Sequence, residues 1–155
     1  MEHRSCFVER LDSVGRVRVA VEVGEQVPAH ASGSGKVLLA GYSDEEIRRK
    51  FRNEKPVALT KNTITSLSKL LAELSMVRER GFATNNEEST KGLCGIAVPI
   101  KNPKGWCVAA LSGSYLAGSL NKKEQNDLLE RLLAGATEIE KIGFEEVDTN
   151  VKFAS

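Results

Sequence analysis

Between Pro28 and Ala40 the chain reads Pro-Ala-His-Ala-Ser-Gly-Ser-Gly-Lys-Val-Leu-Leu-Ala, small residues giving way at once to an apolar run. That order describes a loop opening into a helix. No bulky side chain shields the backbone N–H groups of Ser32, Gly33, Ser34 and Gly35. A helix N-terminus carries about half a positive charge and unpaired donors, so the chemistry open to this stretch is the holding of an anion. A nucleotide-phosphate loop is excluded, because it needs glycine where His30 stands and Ser or Thr where Val37 stands. A smaller anion, such as a carboxylate, fits better. The competing explanation is that the glycines only let the helix start pack closely.

Other reactive residues are sparse. His30 stands near Ser32 and Ser34, but no acid is placed to orient it as a base. Glu87 and Glu88 fall in a polar segment and read as solvated surface. The three cysteines, Cys6, Cys94 and Cys107, have no close spacing, and neither His3 nor His30 has a second ligand at metal-binding distance in sequence. Three free thiols and no metal or cofactor are expected, in keeping with a reducing cytoplasm. The 155 residues suit one domain with a proper core. A net charge of +1 gives no basic field for nucleic acid, and no apolar run approaches a membrane span.

The elements that must position these residues follow from periodicity. Val17, Val19, Val21 and Val23 alternate through Arg16–Val23, which predicts a half-buried strand. Cys6–Leu11 precedes it across the turn Asp12-Ser13-Val14-Gly15, so the two are expected to pair as a hairpin, with a loop at Gly24–Pro28. After the helix from about Gly33 to Ala40, Ser43 lies three residues before Glu46, the spacing of a capping box, and predicts a short helix through Phe51. Asn53–Lys61, with Pro56, reads as loop. Leu67, Leu70, Leu71, Leu74 and Val77 form a helical stripe ended by Gly81. Phe82–Asn85 reads as a strand, Asn86–Lys91 as a polar loop, and Leu93–Ile100 and Trp106–Ser112 as two further strands. Asn121 and Glu124 cap a last helix through Ile139, with a frayed tail beyond Phe144. The order gives an α+β domain with a largely antiparallel sheet.

Asn102-Pro103-Lys104-Gly105 has the residues a type I turn prefers. If Asn102 pairs with Gly105, Leu93 faces Ser114, Gly95 faces Ser112 and Ala97 faces Ala110, all on one side of the sheet. The other side carries Cys94, Ile96, Val98 and Ile100 opposite Gly113, Leu111, Ala109 and Cys107. One face is then bulky and apolar, and the other is small with two hydroxyls. Small residues on a covered face leave a void that a small polar ligand would fill. A tight helix-on-sheet contact is the alternative. In this register Cys107 lies six residues from Cys94, roughly 20 Å along the strand, too far for a disulfide.

Pro28–Ala40, Leu70–Phe82, Gly92–Ile100 and Val108–Ser114, in that order, resemble the effector-binding domain of the IclR family of bacterial transcriptional regulators. The resemblance implies a GAF-like sheet flanked by helices. It also implies a site for small organic acids between the glycine-rich helix start and the sheet. Carried over by motif, the ligand-binding residues are Gly33 and Ser34 at the helix start, Asn85 after the Arg-Gly-Phe segment, and Leu93, Gly95, Ser112 and Ser114 on the sheet. The family often has cysteine at the position of Gly95 and an acid near Asn85. Gly95 enlarges the pocket, and neutral Asn85 removes a repulsive charge. Residues 1–144 would form the domain, without the helix and edge strand that usually precede Cys6, and 145–155 a tail. The implied partners are a carboxylate-bearing effector and a second copy of the chain, as dimer or tetramer. DNA would be met only through a helix-turn-helix that these residues do not contain. Two other functions compete: an oligomerisation module without ligand, and a GAF-like thiol enzyme using Cys94. The core-facing position of Cys94 argues against the second, and no enzymatic activity is expected.

Overall fold

A computed structural model describes residues 3–11 and 22–145. The chain order is β1 (Arg4–Cys6), β2 (Gln26–Pro28), a 3-10 turn (Ala29–Ala31), α1 (Gly33–Ala40), α2 (Asp44–Lys50), α3 (Leu67–Arg80), β3 (Ala83–Asn86), β4 (Leu93–Lys101), β5 (Cys107–Leu116) and α4 (Lys122–Glu145). β3, β4 and β5 make an antiparallel sheet in that order, and β1 and β2 a separate antiparallel ribbon. The fold is α+β, as the sequence predicts.

Each helix begins and ends on local chemistry. Ser32 caps α1 by accepting the Gly35 N–H at 3.1 Å. Ser43 and Glu46 close a full capping box on α2. Gly81 ends α3 in the left-handed region, φ 82°, where a side chain would be strained. Asn121 and Glu124 exchange reciprocal bonds at the start of α4. Arg78 of α3 then pins the turn between α1 and α2, donating to the carbonyls of Ala40 and Tyr42 and to Asp44.

The sheet is covered differently on its two sides. Ile96, Val98 and Ile100 pack against Leu132 and Ala136 of α4. On the opposite side Ala83 and Ala97 meet Val37 of α1 and Val77 of α3. A third cluster joins Leu39, Ile47, Phe51, Leu70, Leu71 and Leu74, tying the three helices together. Fully burying a side chain such as Leu70 or Leu74 is worth roughly 1.5–3 kcal/mol.

Three expectations need correction. First, β1 starts at Arg4 and pairs with β2, Ser5 opposite Val27 and Cys6 opposite Gln26, so Gly24–Pro28 is half strand rather than loop. Past Cys6 the segment to Leu11 is not strand, although Phe7 still exchanges backbone bonds with Glu25 and Gly24. The expected partner, Arg16–Val23, and the turn before it lie outside the described residues except at the end, where Val23 and Gly24 form a turn.

Second, the β4–β5 register is two residues from the expected one: Leu93 faces Leu116, Gly95 faces Ser114 and Ala97 faces Ser112. The type I turn is present, with Gly105 N–H on the Asn102 carbonyl at 2.8 Å. In a hairpin it splays the strands unless a left-handed residue follows, and Gly105 at φ 81° takes that place, so Asn102 pairs with Trp106. A second irregularity sets Ile100 opposite Ala109 but Lys101 opposite Cys107, leaving Val108 as an extra residue. Each step moves the pairing by one, and together they return every inner residue to its expected face. Third, the extra residue turns Cys107 the other way: it packs beside Val37 and Ala110, not on the Ile96 side.

Candidate functional site

Helix α1 lies across the small-residue side of the sheet. At Gly33 a Cβ would approach the Ala97 Cβ to 3.2 Å, and at Gly35 it would come within 2.3 Å of the Ala29 backbone. The close-packing explanation therefore accounts for both glycines. Of the N–H groups the sequence offers to an anion, that of Gly35 is spent on the cap, donating to Ser32 Oγ, which also meets Ser5 Oγ at 3.2 Å. The first-turn amides of Gly33 and Ser34 have no acceptor within the helix.

Beyond that contact the surfaces part around a cavity of about 520 Å³, within the range of small-molecule sites. Gly33, Ser34, Asn85, Leu93, Gly95, Ser112 and Ser114 all border it. Gly95 is buried, and a Cβ there would sit 3.2 Å from the Gly113 carbonyl and 3.7 Å from Ser114 Oγ. Ser112 and Ser114 are exposed, so among the described residues the cavity is a cleft open on the β5 side rather than the covered void expected.

Two walls were missed from sequence. One is the β1–β2 ribbon, which contributes Phe7, Gln26 and Val27; these contacts depend on a pairing that no local pattern announces. The other is the loop between β3 and β4, where Ser89, Thr90 and Lys91 face the cleft. Among the described residues Lys91 is the only basic side chain lining it. Asn85 is spent on the same loop: its Oδ1 accepts the Glu88 N–H at 2.8 Å and its Nδ2 donates to Ser89 Oγ. A general signal was present, since an Asn in a polar loop often closes a turn with its own side chain.

Glu88 corrects the solvated-surface reading. It is 7% exposed, and its Oε1 accepts from Lys36 Nζ at 2.7 Å. Lys36, 1% exposed, also lies 3.5 Å from Glu73, which Arg80 holds at 2.9 Å. Glu87 takes a left-handed φ of 55°, and its carboxylate receives the Gly92 N–H at 2.7 Å.

No grouping of nucleophile and base appears at the cleft. His30 is buried and donates Nε2–H to the Val57 carbonyl at 2.9 Å. Burial pushes the Cys94 and Cys107 thiols above their ordinary range, which keeps them protonated and unreactive. All three cysteines are free thiols, and no group of three or more candidate metal ligands occurs among the described residues. No helix among them is long and apolar enough to cross a membrane.

The fold is a helix-flanked antiparallel sheet whose cleft is lined by small, apolar and hydroxyl-bearing residues. The chain belongs to the IclR family: residues 1–141 match the family model described as bacterial transcriptional regulator IclR C-terminal. It is 30% identical over 146 residues to the regulator KdgR of Dickeya chrysanthemi, covering 94% of this chain and 48% of that protein. The chain thus spans about half the length of the curated relatives it matches. Among solved structures, the IclR of Thermotoga maritima superposes with a TM-score of 0.82 at 27% identity, over 89% of this chain and 56% of that one. The inducer-binding domain of Acinetobacter PobR, a double mutant complexed with 3-hydroxybenzoic acid, superposes with a TM-score of 0.71 at 31% identity, over 77% and 69%.

Proposed function

We propose that this domain senses a small organic acid on behalf of a transcriptional regulator. The observation that carries the reading is the cleft itself. A carboxylate set against the free first-turn amides of Gly33 and Ser34 would meet the positive end of α1, with Lys91 adding a cation at the wall. The remaining polar atoms of the ligand would reach Ser112 and Ser114, in the space that Gly95 leaves open. The PobR complex with 3-hydroxybenzoic acid supports an acid as the ligand class in a related domain.

The regulatory output rests on parts outside this chain. Ligand and operator affinity would be linked through subunit arrangement, each changing the other by the same factor. Self-association belongs to the same proposal. Leu133, Ile139 and Ile142 leave apolar surface exposed along α4, in keeping with a contact between copies.

A thermal-shift panel of small organic acids, 3-hydroxybenzoate included, tests the ligand class. An acid present at 100 times its dissociation constant stabilises the fold by about 2.7 kcal/mol. The methyl ester of any hit should bind at least tenfold more weakly, and Ser112→Ala should cost about 1 kcal/mol of affinity. Equal binding of acid and ester would remove the carboxylate from the proposal.

A further inference from the structure

The Lys36–Glu88 pair is fully inside the molecule, far from any need for solubility. Lys36 projects from the helix whose first turn borders the cleft, and Glu88 belongs to the loop whose next residues, Ser89, Thr90 and Lys91, form a wall of it. The pair spans 52 positions of sequence and joins two sides of one site. Its energetics are poor as a source of stability: one oxygen, Glu88 Oε2, is buried without a hydrogen-bond partner among the described residues. Desolvating two charges often costs more than their attraction returns, and apolar replacements of equal volume are commonly neutral or stabilising. A charged joint in such a place is better suited to fixing geometry than to adding stability.

We infer that Lys36 and Glu88 are positioning residues that hold the β3–β4 loop against α1 and so set the width of the cleft. The rest of the loop is built to obey that joint. Glu88 Oε1 also accepts the Asn86 N–H at 3.3 Å, and its backbone N–H is held by Asn85 at 2.8 Å. From the other side Thr60 Oγ1 donates to the Glu87 carbonyl and Thr63 Oγ1 to the Glu88 carbonyl, both at 2.7 Å. The threonines grip the outer backbone, and Lys36 alone reaches the Glu88 side chain from the helix. Glu73 and Arg80 extend the charge network to α3 without touching the loop. The inference deepens the acid-sensing proposal, since a wall held this way presents Ser89, Thr90 and Lys91 at a fixed distance from Gly33 and Ser34.

The experiment is ligand-free, so its failure is distinct from a failure to find an acid that binds. In the double variant Lys36→Met/Glu88→Met the melting temperature should stay within about 3 °C of the parent or rise. Amide exchange at Glu88 and Gly92 should nevertheless quicken at least tenfold, while Ile96 and Val98 in β4 keep their protection. Glu88→Gln, which keeps an acceptor for Lys36, should recover most of the protection at Gly92. Unchanged loop exchange in the double variant would overturn the inference. So would a large fall in melting temperature with protection lost evenly from loop and β4, because the pair would then serve the core. If the double variant does not fold, Lys36→Met/Glu88→Gln decides instead: a tenfold rise in exchange at Glu88 with β4 still protected supports the joint, and exchange within threefold of the parent overturns it.

Discussion

Gly95 and Gly35 show how much one absent Cβ can mean, and how differently. At Gly95 the missing atom opens the cleft, and a new side chain would press on the Gly113 carbonyl by only a few tenths of an ångström before entering free space. Gly95→Leu should therefore lower affinity for a bound acid at least tenfold by calorimetry, with the fold retained; undiminished binding would place the ligand elsewhere. At Gly35 the missing atom is a packing requirement, since the Ala29 backbone lies 2.3 Å from the Cβ position. Gly35→Ala should cost about 3 kcal/mol in denaturant unfolding. A loss below 1 kcal/mol would mean that α1 can lift off Ala29 freely. The sequence marks both glycines as special but not which kind each is, because openness and closeness leave the same residue. Glu88 was illegible for another reason. Its neighbours in sequence are polar, and the lysine that buries it stands 52 residues away.

Helices were legible because their signals are local. Cap, stripe and stop for α1, α2 and α3 all lie within a few residues of the elements they define. The α2 cap also carries a titration. The Ser43 backbone N–H, then its hydroxyl, hold the Glu46 carboxyl below its ordinary value of 4.5. A depressed value in the fold means a contribution present above the ordinary value and lost as pH falls through the folded one. In an NMR titration Glu46 should protonate below 4.5, and Ser43→Ala, which keeps the backbone N–H and removes only the hydroxyl, should bring it part of the way back. A Glu46 that titrates identically in the variant would show that the hydroxyl has no part in the shift. The β1–β2 ribbon was not legible, because pairing Cys6 with Gln26 is a non-local choice. The valine alternation of 17–23 pointed instead to a nearer partner.

At the scale of the whole molecule, the sheet separates a sealed face from one that borders the cleft. Its Ile96 side is sealed by α4, and its Gly95 side is shared between α1 and the cleft. This division was readable from alternation in Leu93–Ile100, since period two fixes faces even where the partner strand is misplaced. It also orders thiol reactivity. Cys6 is exposed, whereas Cys94 is buried on the sealed side and Cys107 is half-buried under α1, both pushed toward the neutral thiol. Under native conditions at pH 8, iodoacetamide should label Cys6 first, followed by mass spectrometry, with Cys94 and Cys107 protected until unfolding. Early labelling of Cys94 would show that α4 opens from the sheet.

The two irregularities at the β4–β5 tip act as a parity count. The face that β5 turns to the cleft is kept because the glycine after the turn and the extra Val108 each displace the pairing by one, and two displacements make an even number. Length changes at the tip should be judged by the same count. Removing Val108, which is exposed and sits outside the ladder, deletes a step that pairs with nothing and should leave Gly95 opposite Ser114. Removing Gly105 leaves Pro103 and Lys104 as a two-residue loop, and the φ that proline fixes is the wrong sign for the tight hairpin turn. A slip of one residue relieves that turn and is expected to send Ser112 and Ser114 to the α4 side and Leu111 and Gly113 to the cleft. Nuclear Overhauser contacts between Gly95 and Ser114 should persist in the first deletion and vanish in the second. Tip length can therefore drift by whole bulges without changing the face that β5 turns to the cleft, while the loss of a single turn glycine would reverse it.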